Sequence, residues 1–572
     1  MYRLKFLFLV LIMLSLSCAR IVMPPGGTID KTPPLPKSCS PENLNKQFTS
    51  EKITINFDEY IILKNFDQEF VSSPLLLQKP KKILKGKSLI LKLNNDSLKP
   101  NTTYTLNFGN SIVDYRVGNI LKQYEYVFST GDVIDSLHIC GHLYWAEDLS
   151  PQDDIWILLY ENYNDSCLKT QKPDFIAKTN SEGYFSINHI AAGRYGIAAL
   201  KDINNNYIFD LPNEQIAFLD TTFLLSTDKI TNNDSISLND SLISSPSFRV
   251  SPDSIDLFLF EEAFSNQYLS DYYRENRYCL SLIFNEKYDT TLNIRFENKN
   301  RQWILEPSAH KDTFNIWLTD TILANQDSLK LFLNSFKSNT SQELEENIDT
   351  LLFIYKPKKK KTLKHSLTIK SNFIAKGSFD FYKTPYIISS FPVDSLDISK
   401  LKLYRKEDTT FVPIQPLLIV KDSLNVRRYN IENTLDEDTE YKITILPNTF
   451  VDYRNWGNDS IESLFKTTSE KNYTKILLSV KGVKQEQIII QLLSLSDKLI
   501  DERIITTDSV LKFNYLKPVS YKIKMIIDDN RNNKWDSGDY KTKHQAERVK
   551  FYQESILTKA NWEHEIIWDL QE

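Results

Sequence analysis

Apolar and polar side chains alternate along most of this chain. Ile53-Thr54-Ile55-Asn56-Phe57 places three apolar residues on one face and two polar residues on the other, as a half-buried strand requires. The same period returns in Ser88-Leu89-Ile90-Leu91-Lys92-Leu93 and in Tyr104-Thr105-Leu106-Asn107-Phe108, with Pro100-Asn101 as the turn between them. Tyr126-Val127-Phe128-Ser129-Thr130 closes this unit. Further on, Asp154 to Tyr160 reads as a strand, Thr179 to Ile187 as a hairpin, and Gly193-Arg194-Tyr195-Gly196-Ile197 as the start of another strand. Short strands in units of about 100 residues, without amphipathic helices, predict an all-β chain built as a tandem array of β-sandwich domains.

A long-range repeat organises these units. Tyr195, Ile197, Asp202, Asn204, Asn206 and Asp210 are matched by Tyr521, Ile523, Asp528, Asn530, Asn532 and Asp536 at a constant offset of 326 residues. Val113-Asp114-Tyr115-Arg116 recurs as Val451-Asp452-Tyr453-Arg454, Thr103-Tyr104 aligns with Glu440-Tyr441, and Phe128-Ser129-Thr130 with Phe465-Lys466-Thr467. Both echoes come in the same order, so a pair of domains is duplicated around a central one. The expected division is a leader over 1–17, a Pro-rich tether over 18–36, and domains over 37–132 and 133–222. A polar linker over 223–248, a central β domain over 249–355, a basic linker over 356–364 and domains over 365–469 and 470–572 follow. In the central domain Asp312-Thr313, Asp327-Ser328 and Asp349-Thr350 open strands with short oxygen-bearing side chains.

Asp30-Lys31-Thr32-Pro33-Pro34, Ile55-Asn56-Phe57-Asp58-Glu59, Leu98 to Tyr104 and Phe128-Ser129-Thr130 resemble the bacterial Ig-like domain first associated with S-layer proteins. The order of strands over 135–222 resembles transthyretin-like or carboxypeptidase-regulatory-like modules. The whole arrangement is similar to a Gram-negative lipoprotein family that carries such a domain behind a lipidated cysteine. The resemblance implies an extracytoplasmic β-sandwich and no catalytic residues.

Composition narrows the function further. The 572 residues carry a net charge of -5, which offers no electrostatic case for nucleic acid. Only 14 residues are Gly, so left-handed turn positions should fall largely to Asn and Asp. At the N-terminus Arg3 and Lys5 precede the apolar run Phe6–Leu14, which is too short to cross the ~30 Å hydrocarbon layer and reads as an export signal. Leu14-Ser15-Leu16-Ser17-Cys18 resembles a lipobox, with Ser15 where Leu is usual, and assigns lipidation to Cys18. Several acyl chains there anchor a protein stably. Ala19 follows in place of the aspartate that often retains lipoproteins at the inner membrane, which favours the outer membrane facing the periplasm. Of the other cysteines, Cys140 and Cys167 share a domain and are the pair suited to a disulfide, whereas Cys39 and Cys279 lie apart.

The candidate chemistry lies in the repeated Asp/Asn loops. Asp528, Asn530, Asn532, Asp536 and Asp539 fall at the spacing of a calcium loop, with the Lys534 carbonyl between them. Asp202, Asn204, Asn206 and Asp210 form the first copy. Tyr207 and Asn533 replace the turn glycine, no Glu stands at the twelfth position, and Glu214 comes one residue late. Asx turns, in which the same side chains serve only the backbone, are the alternative and the simpler account of the pattern. His138, Cys140 and His142 alternate on one strand face, where two could share a zinc ion. His564-Glu565 opens like a zinc-protease helix but meets Trp568 where a second His is needed, and Ser226-Thr227-Asp228-Lys229 lacks a Lys-Thr-Gly partner. The sequence thus predicts a non-enzymatic, membrane-anchored scaffold or interaction protein of the cell envelope. It requires no cofactor, with calcium in those loops as the one candidate, and takes a protein or envelope polymer as partner. The alternative is a glycan-acting hydrolase with carboxylates gathered between domains.

Overall fold

Period-2 alternation produces strands throughout, and helices among the described residues are single turns such as Cys167–Thr170 and Thr321–Ala324. The computed structural model describes residues 30–571 apart from 77, 95–97, 230–247, 263–266, 289–290, 298–301, 340–343, 357–365, 375–376 and 485. Cys18, the leader and most of the Lys-rich linker therefore lie outside the described residues. Two compact units result, 1–261 and 262–572.

The first unit opens with an Ig-like sandwich. One sheet runs in the order Pro36–Ser40, Lys52–Phe57, Ser88–Lys92, Lys81–Lys85, and the other in the order Val71–Ser73, Thr103–Asn107, Glu125–Ser129. Ile53, Ile55, Leu89 and Leu91 from the first sheet meet Tyr104, Leu106 and Phe128 from the second in one buried cluster. Each such fully buried side chain contributes roughly 1.5–3 kcal/mol. The domain starts earlier than expected. Leu35 exchanges hydrogen bonds with Asp58, its N–H to Oδ1 at 2.8 Å and its carbonyl from the Asp58 N–H at 3.0 Å, and Pro34 is buried. The end of the expected tether is thus part of the sandwich. The loop after Ile112–Asp114 is organised by one carboxylate: Asp114 accepts the N–H groups of Arg116, Val117, Gly118 and Asn119 at 2.6, 2.8, 3.1 and 2.9 Å. The Val117 and Asn119 N–H groups chiefly hold its carboxyl below the usual range.

A second module follows. Phe175–Lys178, Trp156–Tyr160, Gly193–Lys201 and Gln215–Phe218 form an antiparallel run, and Leu137–Trp145 pairs with Tyr184–Ile190. Two findings move the expected boundary at 222. Phe223–Lys229, expected to begin a linker, is a strand paired with Gly193–Lys201 and with Phe248–Ser251. Leu257–Glu261, expected to open the central domain, completes this module by running parallel to Leu137–Trp145 and antiparallel to Gln215–Phe218. Leu257 and Leu259 are buried with Leu143 and Ile197, and that burial outweighs their distance along the chain. The rest of the expected linker, 230–247, lies outside the described residues.

In the second unit the central domain pairs the sheet Leu269–Asn276, Cys279–Phe284, Thr313–Leu318, Trp303–Pro307 with the sheet Asn293–Phe296, Ser328–Ser338, Leu344–Ile354. The following Ig-like sandwich is not separated from it. Cys279 and Trp317 are buried in the same cluster as Phe391, Ile443 and Phe465, with Trp317 edge-on to Phe391 at 5.4 Å. The duplication is reproduced around the repeated tyrosine. Tyr104 stacks on Phe128 at 5.3 Å and accepts the Lys99 N–H at 2.8 Å. Tyr441 stacks on Phe465 at 5.5 Å and accepts the Asp436 N–H at 2.7 Å. In the last module Thr474–Lys481 pairs antiparallel with Ser509–Leu516 and parallel with Glu563–Asp569, the same mixed pairing as in the first copy.

Gly141 tests the strand at 257–261. A Cβ at Gly141 would lie 1.8 Å from the Ile255 carbonyl oxygen, where only glycine lets the backbone approach. Gly141→Ala is expected to push the 253–261 segment off its neighbour and lower the stability of the first unit by ~1–3 kcal/mol, read as an earlier calorimetric transition.

Candidate functional site

Each Asp/Asn loop leaves the end of a long central strand, Gly193–Lys201 or Ser520–Asp528, and must satisfy N–H groups that no neighbouring strand reaches. In the first copy Asp202 accepts the Asn206 N–H at 3.3 Å and the Tyr207 N–H at 2.7 Å. Asn204 Oδ1 accepts the Asn206 N–H at 3.0 Å, and Asn206 Oδ1 accepts the Ile208 N–H at 2.7 Å. The amide nitrogens of Asn204 and Asn206 then donate to the Asp210 carboxylate at 3.0 and 2.8 Å. Asn205 and Tyr207 take φ of 60° and 63°, so the loop turns at left-handed positions without glycine.

The second copy repeats this network. Asp528 accepts from Asn532 and Asn533 N–H at 3.1 and 2.8 Å, and Asn530 and Asn532 accept from Asn532 and Lys534 N–H at 3.0 Å each. Asn530 donates to Asp536 at 2.5 Å and Asn532 donates to the same carboxylate oxygen. Arg531 and Asn533 stand at φ of 60° and 66°. Further along, Asp539 accepts the Thr542 N–H at 2.6 Å and its hydroxyl at 2.8 Å.

A buried carboxylate behind each loop was missed or misread from sequence. Glu214, 0% exposed, accepts the Ile203 N–H at 3.2 Å and the Asp210 and Leu211 N–H groups at 3.1 Å. Glu547, 2% exposed, accepts the Asp529 and Asp536 N–H groups at 3.0 Å. The signal was available: Glu214 immediately precedes the strand that returns beside its loop, Gln215–Phe218, and Glu547 stands two residues before Val549–Phe551. Burial pushes the Glu547 carboxyl above its ordinary range, reinforced by Asp528 and Asp536. Asp536 feels the same burial, but donors from Asn530, Lys534 and Asn532 hold it below the usual range.

The other candidates are dispersed. His138, Cys140 and His142 do lie on alternate positions of Leu137–Trp145, but Cys140 donates to the Asp253 carbonyl at 3.3 Å and His142 packs edge-on against Tyr184 at 5.5 Å. Among the described residues no group of three or more His, Cys, Asp or Glu side chains is gathered to hold a metal ion. Cys140 and Cys167, the pair suited to a disulfide, are not bonded to each other. Cys39, Cys140, Cys167 and Cys279 are free thiols, with Cys167 buried at the start of a helical turn and Cys140 on an outer strand face. Burial pushes the Cys279 thiol up to about 12, which leaves it unreactive. His564-Glu565 lies in the strand Glu563–Asp569 and Ser226 in the strand Phe223–Lys229, so neither has the helical setting its motif requires.

Residues 30–130 match the family described as a bacterial Ig-like domain. No curated protein matches the chain. Among solved structures, the chain is similar at 9% identity to BcpA, the major pilin subunit of Bacillus cereus, over 76% of this chain and 99% of that one, with a TM-score of 0.12. It is likewise similar to the S-layer protein rSbsC at 9% identity, over 91% and 66%, with a TM-score of 0.13. For the BSP domain of a biofilm associated protein the identity is 8%, the coverage 89% and 97%, and the TM-score 0.13. At such TM-scores these likenesses carry no argument about function.

Substituting the buried carboxylates tests the role of the loops. Gln at 214 or 547 sets an amide N–H against a backbone donor and is expected to cost its module ~1–3 kcal/mol in thermal unfolding. Because the Glu547 pKa is raised, its contribution is full below the ordinary Glu range and falls as pH rises through the raised value. The margin of the parent over Glu547→Gln should therefore be widest in acid and narrow toward neutrality. Calcium at ~10 mM is expected to leave both melts unmoved, since loop N–H and amide groups already use the oxygens; a rise that Asp528→Ala abolishes would assign a cation instead.

Proposed function

We propose that this chain is a lipid-anchored, periplasm-facing scaffold of the cell envelope, built from Ig-like domains and transthyretin-like modules, that holds a protein or envelope-polymer partner. The observation that carries this reading is the duplicated architecture with stiff joints inside each unit. Between the first Ig-like domain and its module, Thr103 Oγ1 donates to Asp135 at 2.8 Å and receives the Asp135 N–H at 3.0 Å. Ser73 Oγ accepts the Ile176 N–H at 3.2 Å, and Lys99 pairs with Asp174 at 3.1 Å. In the second unit the buried Glu306 accepts from Trp317 Nε1 at 2.6 Å and from Arg427 Nε at 2.9 Å, tying the central domain to the Ig-like sandwich. Tyr473 donates to Asp380 at 2.5 Å at the next joint. Joints of this kind suit a spacer that must hold a surface at a set position, because they resist the independent domain motion that is otherwise the default.

The anchor is supported by Leu14-Ser15-Leu16-Ser17-Cys18 after a basic and apolar leader. Cys18→Ser is expected to abolish incorporation of a fatty-acid analogue and release the protein from the membrane fraction. An unlabelled parent protein would replace the anchor with ordinary cleavage of the leader. Crosslinking in intact cells, followed by identification of the captured molecule, names the partner.

The stiffness has its own test. Glu306→Ala leaves the Arg427 guanidinium without its carboxylate in a partly buried site, at a cost of ~3 kcal/mol. Calorimetry should then separate the central domain and its Ig-like neighbour into two transitions where the parent shows one.

A further inference from the structure

Asp followed by Ser or Thr occurs 19 times, and in 15 of these the third residue is Leu, Ile, Val or Thr. In some of these the Asp has a structural use at a turn, as where Asp320 accepts the Ile322 and Leu323 N–H groups and Asp422 those of Leu424 and Asn425. The hydroxyl after it has none. Eleven of the 15 lie among the described residues, and in ten of them the Ser or Thr is exposed and its hydroxyl makes no hydrogen bond to the protein. Ser136, Ser254, Thr321, Ser395 and Ser460 are of this kind, spread over both units. The exception is the half-buried Ser509, which donates to the Thr507 carbonyl at 2.8 Å.

Asp-Ser/Thr pairs without the aliphatic or Thr third residue behave oppositely. Ser166 donates to Asn164 Oδ1 at 3.0 Å, Thr439 to the Glu437 carbonyl at 2.7 Å, and the Thr313 hydroxyl bonds Asp312. The full tripeptide therefore marks hydroxyls that the fold leaves unused and open to an enzyme. Several of its third residues are also left in water, with Ile322, Leu424 and Val510 62%, 63% and 61% exposed.

We propose that Asp-Ser/Thr-(Leu/Ile/Val/Thr) is a modification signal in this chain and that its exposed hydroxyls carry O-linked sugars. This rests on the export reading of the N-terminus. A phosphoryl group would add ~1.5–2 negative charges beside each Asp of a chain already at -5, and its nucleotide donor is cytoplasmic. An acyl group would place a hydrocarbon chain in water. A neutral, hydrated sugar meets neither objection and covers the exposed apolar neighbour. In the transfer, the Ser or Thr oxygen attacks the anomeric carbon of a sugar activated as the diphosphate ester of a membrane lipid. A new carbon–oxygen bond replaces the bond to phosphate, the lipid diphosphate leaves, and the hydroxyl proton passes to a base of the transferase.

The experiment is peptide mass mapping of the full-length protein isolated from its native membrane, beside the variants Asp394→Ala and Ser395→Ala. Asp394 is exposed and makes no side-chain bond, so the first variant keeps the fold and the acceptor hydroxyl. The expected result is sugar-sized mass on the Ser395, Ser254 and Thr321 peptides, lost at Ser395 alone in both variants. Sugar that persists on Ser395 in Asp394→Ala overturns the signal, and phosphoryl mass at these positions overturns the chemistry. Bare tripeptides in protein whose Cys18 peptide is acylated overturn the proposal while the export reading stands. Bare tripeptides together with an uncleaved leader overturn both.

Discussion

Every strand that ends in a sandwich must dispose of N–H groups that have lost their neighbours, and in this chain carboxylates and amides take them. With 14 glycines in 572 residues, the turns cannot rely on free backbone torsion. Among the described residues 21 non-glycine positions have positive φ, and eleven of them are Asn or Asp. Asp114 shows the limiting case, one carboxylate accepting four successive N–H groups. Its counterpart Asp452 accepts from Arg454 and Trp456 and adds the Arg454 guanidinium, which itself lies over Trp456 at 4.0 Å. The same acceptors, arranged in series, make the loops at 202–214 and 528–547.

This dependence explains why those loops look like cation sites in sequence. Oxygen-bearing side chains at alternate positions are what a calcium loop needs, and also what a glycine-poor turn needs. The geometry shows the oxygens engaged with the loop itself and the two amide nitrogens aimed at Asp210 or Asp536, with a buried Glu closing the arrangement from behind. The two copies keep the same donating N–H groups, Ile203 and Asp210 in one and Asp529 and Asp536 in the other, even though Glu214 and Glu547 sit at different distances along the chain. What the repeat preserves is therefore a hydrogen-bond arrangement rather than a spacing.

Packing across domain borders gives the chain its second character. Trp317 and Cys279 of the central domain are buried with Phe391 of the next sandwich, and Arg454 lies over both Phe391 and Tyr278. Glu306 is the polar centre of that joint, satisfied by Trp317 and Arg427. A chain read as beads on linkers is, inside each unit, continuous. A scaffold gains from this, since a joint without slack transmits position.

The sequence by itself determined whatever is local. Period-2 alternation located Lys52–Phe57 and Ser88–Lys92, where one face is buried and the other is not, and it also located Thr103–Asn107 and Glu125–Ser129, which are buried on both faces. The offset of 326 residues identified the duplicated pair, and both copies of the second module share the same mixed parallel and antiparallel pairing. Tertiary structure decided whatever joins distant segments. Leu257–Glu261 belongs to the module before it because its leucines complete that core, and Pro34-Leu35 belongs to the sandwich because Asp58 receives it. Glu214 and Glu547 become central to their loops only when the returning strand brings them back. Cys140 and Cys167 remain thiols because one lies on an outer face and the other is buried. Alternation and turn chemistry are written in neighbouring residues, whereas burial and hydrogen bonding across the fold depend on which surfaces meet, and no short stretch of sequence records that.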